Sequence, residues 1–99
     1  MKQSLLAGVL LLSLLGSAEA ANLARGQQLY NLHCAACHGM RGEGINPEAP
    51  KFRFGERMEQ PDFVLMQSIK TGKKNMPPFF GVLQDPDILD ILSYVRTLR

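Results

Sequence analysis

An all-α domain, with about three helices joined by long loops, is the fold the sequence predicts, and three observations lead there. Apolar residues recur at helical spacing in three separate stretches, most plainly at Ile88, Leu89, Ile91, Leu92, Val95 and Leu98. Glycines and prolines gather between those stretches, where they favour irregular backbone. No segment alternates apolar and polar residues long enough to make a convincing strand.

The elements follow in order. Met1 to Ala20 reads as a secretory signal peptide: Lys2 gives a positive start, Leu5 to Leu15 is a leucine-rich apolar run, and Ala18-Glu19-Ala20 is a small-x-small cleavage pattern. The run is short for a membrane span of about 20 residues, and no cysteine stands at the cleavage point for lipid attachment. A cleaved leader and a mature chain starting at Ala21 are therefore expected, without stable membrane insertion afterwards. Asn22 is a good N-cap for a helix through about Leu32, with Leu23, Gly26, Leu29 and Tyr30 on related faces. Gly39, Gly42, Gly44, Pro47 and Pro50 mark a long loop. A second helix is predicted from about Gln60 to Thr71, with Pro61 in its first turn and Gly72 as its stop. Lys73 to Gln84 returns to loop. Asp85-Pro86-Asp87 then starts the last helix, with Asp85 as N-cap and early negative charge at the positive helix end, and its spacing runs to the C-terminus.

Size and charge narrow the function classes. Without the leader about 79 of 99 residues remain, enough for one domain, 21–99, that needs a staple to be stable. The net charge of +2 is small, and no basic stripe interleaved with aromatics speaks for nucleic acid.

The staple is legible in Cys34-Ala35-Ala36-Cys37-His38, which holds both cysteines and one of the two histidines. Cys-x-x-Cys-His is the attachment signature of haem c: two thiols one turn apart add across the two vinyl groups, and the adjacent histidine is carried beneath the ring to ligate iron. Other readings fit less well. A disulfide would close too small a loop to stabilise much. A thioredoxin-like pair belongs near a βαβ pattern. A zinc site would crowd His33, Cys34, Cys37 and His38 into six consecutive residues, whereas structural zinc usually draws on a distant second pair. An exporting leader agrees with haem attachment, because c-type maturation takes place in the bacterial periplasm; a mitochondrial address would be rich in arginine.

What fills the sixth iron position separates carriers from catalysts. His33 and Met40 are tethered beside the motif. Met66 lies among apolar helix residues and reads as core, and Met58 between Arg57 and Glu59 has a surface-like setting. Met76 sits in the stiff segment Lys74-Asn75-Met76-Pro77-Pro78-Phe79, far enough beyond His38 for the chain to wrap around a haem, and is the preferred ligand. A gap-filling core methionine is the competing reading of Met76.

The chain resembles the class I c-type cytochromes, the small bacterial monohaem electron carriers, over essentially all of residues 21–99. A short helix, Cys-x-x-Cys-His-Gly, a glycine-rich loop, a proline, a middle helix, a Met-Pro loop and a last helix come in the family's order. The resemblance implies the cytochrome c fold around one covalently attached haem, with thioethers at Cys34 and Cys37 and axial ligands at His38 and Met76. It implies that the carbonyl of a loop proline, Pro50 or else Pro47, accepts a hydrogen bond from the ligand histidine. It also implies a close crossing of the first and last helices, where Gly26 and Tyr30 meet Ile91 and Tyr94. The tryptophan that serves some relatives as a propionate partner is missing, leaving Lys51 and Arg53 as candidates.

The implied function is one-electron transfer through iron cycling between Fe(III) and Fe(II), by a periplasmic carrier rather than an enzyme. Redox partner proteins would dock at a haem edge bordered by Ala35, Ala36, Pro77, Pro78 and Phe79, with Lys70, Lys73 and Lys74 steering an acidic partner. Two alternatives stand beside it. A dedicated haem c subunit of a larger oxidoreductase would expose an apolar patch, to which Phe79-Phe80 and Phe52-x-Phe54 would contribute if they are not core. A gas-binding, sensing or catalytic haem protein would keep the sixth position open.

Overall fold

The computed structural model describes residues 21–99. The leader prediction for residues 1–20 lies outside that range. Among the described residues there are four α-helices, a 3-10 turn and no strand, so the all-α expectation holds. The helices are α1 (Leu23–His33), α2 (Ala35–His38), α3 (Asp62–Thr71) and α4 (Asp85–Val95); the 3-10 turn is Phe52–Phe54. The short α2, which carries the cysteine motif, is the element absent from the three-helix prediction.

Local chemistry accounts for the boundaries. The Asn22 side chain accepts from the Arg25 N–H at 3.0 Å and caps α1 as predicted. Pro61 sits one place earlier than predicted, as the N-cap of α3. Gly72 ends α3 at φ 74°, and a Cβ there would lie 2.7 Å from the Met76 carbonyl, so the glycine also makes room for the turn that follows. The last helix starts at Asp85 with Gln84, not Asp85, as its N-cap; the Asp87 carboxylate accepts from the Gln84 N–H at 3.1 Å. It stops at Val95, short of the predicted C-terminus, where the Arg96 N–H caps the Leu92 carbonyl.

The core forms where α1 crosses α4. Tyr30, Ile88 and Ile91 are essentially solvent-free, and burying each contributes about 1.5–3 kcal/mol. The crossing is close because Gly26 has no side chain: a Cβ would stand 2.1 Å from the Asp90 carbonyl oxygen. Tyr30 and Tyr94 pack with ring centroids 5.5 Å apart, and the buried Tyr30 hydroxyl donates to the Gly39 carbonyl at 2.6 Å. At its edge the crossing is tied by Asn22 N–H to Asp90 (3.0 Å) and by an Arg25–Asp87 ion pair (2.8 Å).

Candidate haem site

One helical turn organises the motif. The Cys34 N–H closes α1 on the Tyr30 carbonyl at 2.8 Å, and the His38 N–H returns to the Cys34 carbonyl at 3.0 Å. With α2 helical, Cys34, Cys37 and His38 are three and four residues apart and share one face. All three line a single cavity of about 540 Å³, within the usual range for a cofactor site. Its walls are mostly apolar, with Leu65, Phe79, Ile91, Leu92 and Val95 supplied by the core.

His38 is buried at 7% exposure, and its Nδ1 lies 3.2 Å from the Pro50 carbonyl. A carbonyl only accepts, so Nδ1 carries the proton and Nε2 keeps a free lone pair. Phe52 stacks on the imidazole, with centroids 4.5 Å apart and planes inclined by 18°. Burial holds the His38 pKa below the usual histidine value, opposed by the Pro50 carbonyl, and so favours the neutral ring that a metal requires. Burial likewise pushes the Cys34 thiol up to about 11, with Cys37 adding to the shift. A redox-active pair would show the reverse, a depressed thiol pKa. Among the described residues no group of three or more His, Cys, Asp or Glu is placed to hold a metal ion, which leaves the zinc reading without support.

Met76 lines the same cavity, half-buried, on a turn closed at both ends: Lys73 N–H to the Met76 carbonyl at 3.1 Å and Met76 N–H to the Lys73 carbonyl at 2.7 Å. Phe79 N–H and Phe80 N–H hold the loop to α3 through the Ile69 and Lys70 carbonyls. Imidazole, thioether and two thiols therefore meet around one apolar space, a donor set that suits haem c.

Several sequence-based assignments change. Met58 is not surface-like: it packs half-buried against the core and lines the cavity, whereas Met66 packs on the core outside it. The segment 58–62 is brought there by Arg96, which donates to the Met58 and Gln60 carbonyls at 2.9 Å and to Asp62 at 2.8 Å. Those partners lie 34–38 residues away in sequence, so no local pattern signals them. Lys51 and Arg53 do not line the cavity, whereas Arg57, Lys73 and Lys74 do. Lys70 is paired with Asp85 at 2.9 Å and is not free to steer a partner. Ala35 and Phe79 are buried in the core and do not border the surface, unlike Ala36, Pro77 and Pro78. Each aromatic pair divides: Phe79 is buried and Phe80 exposed, Phe52 is half-buried and Phe54 exposed. His33 also lines the cavity, edge-on to Phe79 at 5.7 Å.

Residues 21–95 match the family model described as cytochrome C oxidase, cbb3-type, subunit III. The chain belongs to the c-type cytochrome family. It is 38% identical over 90 residues to cytochrome c6 of Thermosynechococcus vestitus, spanning 87% of this chain and 79% of that protein. Cytochrome c6 of Cyanidium caldarium is 36% identical over 77% of this chain and 71% of its own length. The cytochrome bc1 complex cytochrome c subunit of Corynebacterium diphtheriae is 31% identical over 82% of this chain but only 29% of its own length. The c-type cytochrome reading, with covalently bound haem c and electron transfer as its activity, thus rests on the family match as well as on the motif. Among the described residues no helix is long and apolar enough to cross a membrane.

Proposed function

We propose that residues 21–99 form a periplasmic one-electron carrier in which Cys34 and Cys37 hold haem c by thioether bonds and His38 and Met76 are the axial iron ligands. The observation that carries this reading is the meeting of those four side chains around one apolar cavity, with His38 oriented by Pro50. Bound haem supplies the one-electron Fe(III)/Fe(II) couple, with a potential raised by the Met/His ligand pair. The protein's part is to hold still. The Pro50 carbonyl, by accepting from His38 Nδ1–H, would leave the Nε2 lone pair free to hold the haem iron. The apolar walls exclude water, and the core side chains on α4 keep the cavity shape fixed. Lys73 and Lys74, exposed on the Met76 turn, would attract an acidic redox partner, and docking would then weaken with added salt. The carrier reading is preferred to a dedicated subunit role because cytochrome c6 relatives match this chain at up to 38% identity, against 31% for the bc1-complex subunit.

The test is an absorption spectrum of protein matured in a bacterial periplasm, ferric and ferrous, with carbon monoxide added to the reduced form. A closed site gives low-spin bands, the weak red band of thioether-bound ferric iron and no carbon monoxide adduct. Met76→Ala then loses the red band and binds carbon monoxide. Ready carbon monoxide binding by the intact protein would overturn the carrier reading. Loss of the band in Met58→Ala but not in Met76→Ala would move the ligand to Met58.

A further inference from the structure

The loop that carries Pro50 and the loop that carries Met76 both line the cavity, and they are joined at its exposed rim. Asn75 Nδ2 donates to Glu48 Oε2 at 2.9 Å, across 27 residues of sequence. Among the described residues this is the one hydrogen bond between the segment from Gly39 to Gly55 and the turn from Lys73 to Pro78.

Both partners are fixed in place by their own backbones. Ile45 N–H and Asn46 N–H each donate to the Cys37 carbonyl at 2.9 Å, anchoring the segment to the haem-attachment helix. The Asn46 side chain accepts from Glu48 N–H at 3.0 Å, and the Asn46 carbonyl accepts from Ala49 N–H at 3.0 Å, which presents Glu48 on a tight turn. On the other side, Asn75 immediately precedes Met76 in the doubly bonded Lys73–Met76 turn, where Lys74 has the left-handed φ of 49°. Hydrogen bonds and backbone therefore run from Cys37 through Asn46 and Glu48 to Asn75 and Met76. All other hydrogen bonds that hold the Met76 loop lead back to α3, on its own side.

We propose that Glu48 and Asn75 are positioning residues: their hydrogen bond is a clasp that keeps the Met76 loop shut on the haem and limits how often the sixth position opens to outside ligands. The proposal rests on Met76 being the distal ligand. Because the clasp is exposed, its contribution is modest, and breaking it raises the population of the open loop about three- to tenfold.

The experiment uses intact ferric holoprotein and imidazole as the entering ligand, with binding followed by stopped-flow absorption. Glu48→Ala and Asn75→Ala each bind imidazole about three to ten times faster than the parent, with the midpoint of global urea unfolding nearly unchanged. Glu48→Gln, whose amide oxygen still accepts from Asn75, stays near the parent rate. The double alanine variant is no faster than either single one, because both remove the same bond. Parent-like rates in both single variants, or additive effects in the double, would overturn the clasp while leaving Met76 as ligand. If the parent already binds imidazole as fast as Met76→Ala, the ligand assignment itself fails and the clasp fails with it.

Discussion

The crossing of α1 and α4 and the loop walls of the haem cavity are built by different means. The crossing is a packing solution, in which buried Tyr30, Ile88 and Ile91 surround a point where Gly26 lets two backbones touch. The walls have little regular structure and are held by a few side chains that reach distant acceptors: His38 to the Pro50 carbonyl, Arg96 to the Met58 and Gln60 carbonyls, Asn75 to the Glu48 carboxylate. The comparison teaches where this small protein is brittle and where it is adjustable. One added atom breaks the crossing, while one lost bond in a wall loosens that wall alone.

The largest effect is expected from Gly26→Ala. Helix propensity by itself favours alanine by about 1 kcal/mol. The new methyl, however, has no room beside the Asp90 carbonyl, and forcing the helices apart should cost about 3 kcal/mol. Urea unfolding of the holoprotein measures it, and a gain in stability would show that the crossing is looser than the structure has it.

Arg96→Met probes the walls. It removes the charged donors that hold segment 58–62 and should cost about 2 kcal/mol in the same titration. The haem absorption should shift, because Met58 and Gln60 line the cavity, while the far-ultraviolet signal of the helices stays nearly constant. Equal loss of both signals would mean that walls and crossing are one cooperative unit.

Asp87→Asn should have the smallest effect and sharpens the comparison from the other side. The Arg25 side chain, followed by the Gln84 N–H, holds the Asp87 carboxyl below its usual pKa. A depressed folded pKa gives stability that is present above about pH 4 and is lost as pH falls through the folded value. The asparagine variant should therefore be slightly less stable than the parent at neutral pH and lose stability less steeply on acidification, a small effect because the Arg25 side chain of the pair is exposed. A large loss at neutral pH would make the crossing depend on charge as well as on packing.

Sequence alone was enough for whatever is local or periodic. The helical spacing of Ile88 to Val95, the Asn22 cap and the Gly72 stop each act within a few residues, so the helices were legible, give or take a residue at their ends. Cys34, Cys37 and His38 were legible for the same reason, since three neighbours on one turn must share a face. The proximity of Pro50 to His38, the Gly26 crossing and the preference for Met76 came from resemblance and wrapping length. The tertiary structure alone decided the rest: Met58 on the cavity, Arg96 as its holder, Phe79 inside and Phe80 outside, Lys70 spent on Asp85, Glu48 reaching Asn75. The hydrogen bonds among them join residues 15 to 38 apart, across loops or between the ends of different helices, where nothing in the neighbouring sequence constrains which group meets which. Local chemistry fixed the helices and the attachment motif, and chain closure around the cavity fixed the partners of everything between them.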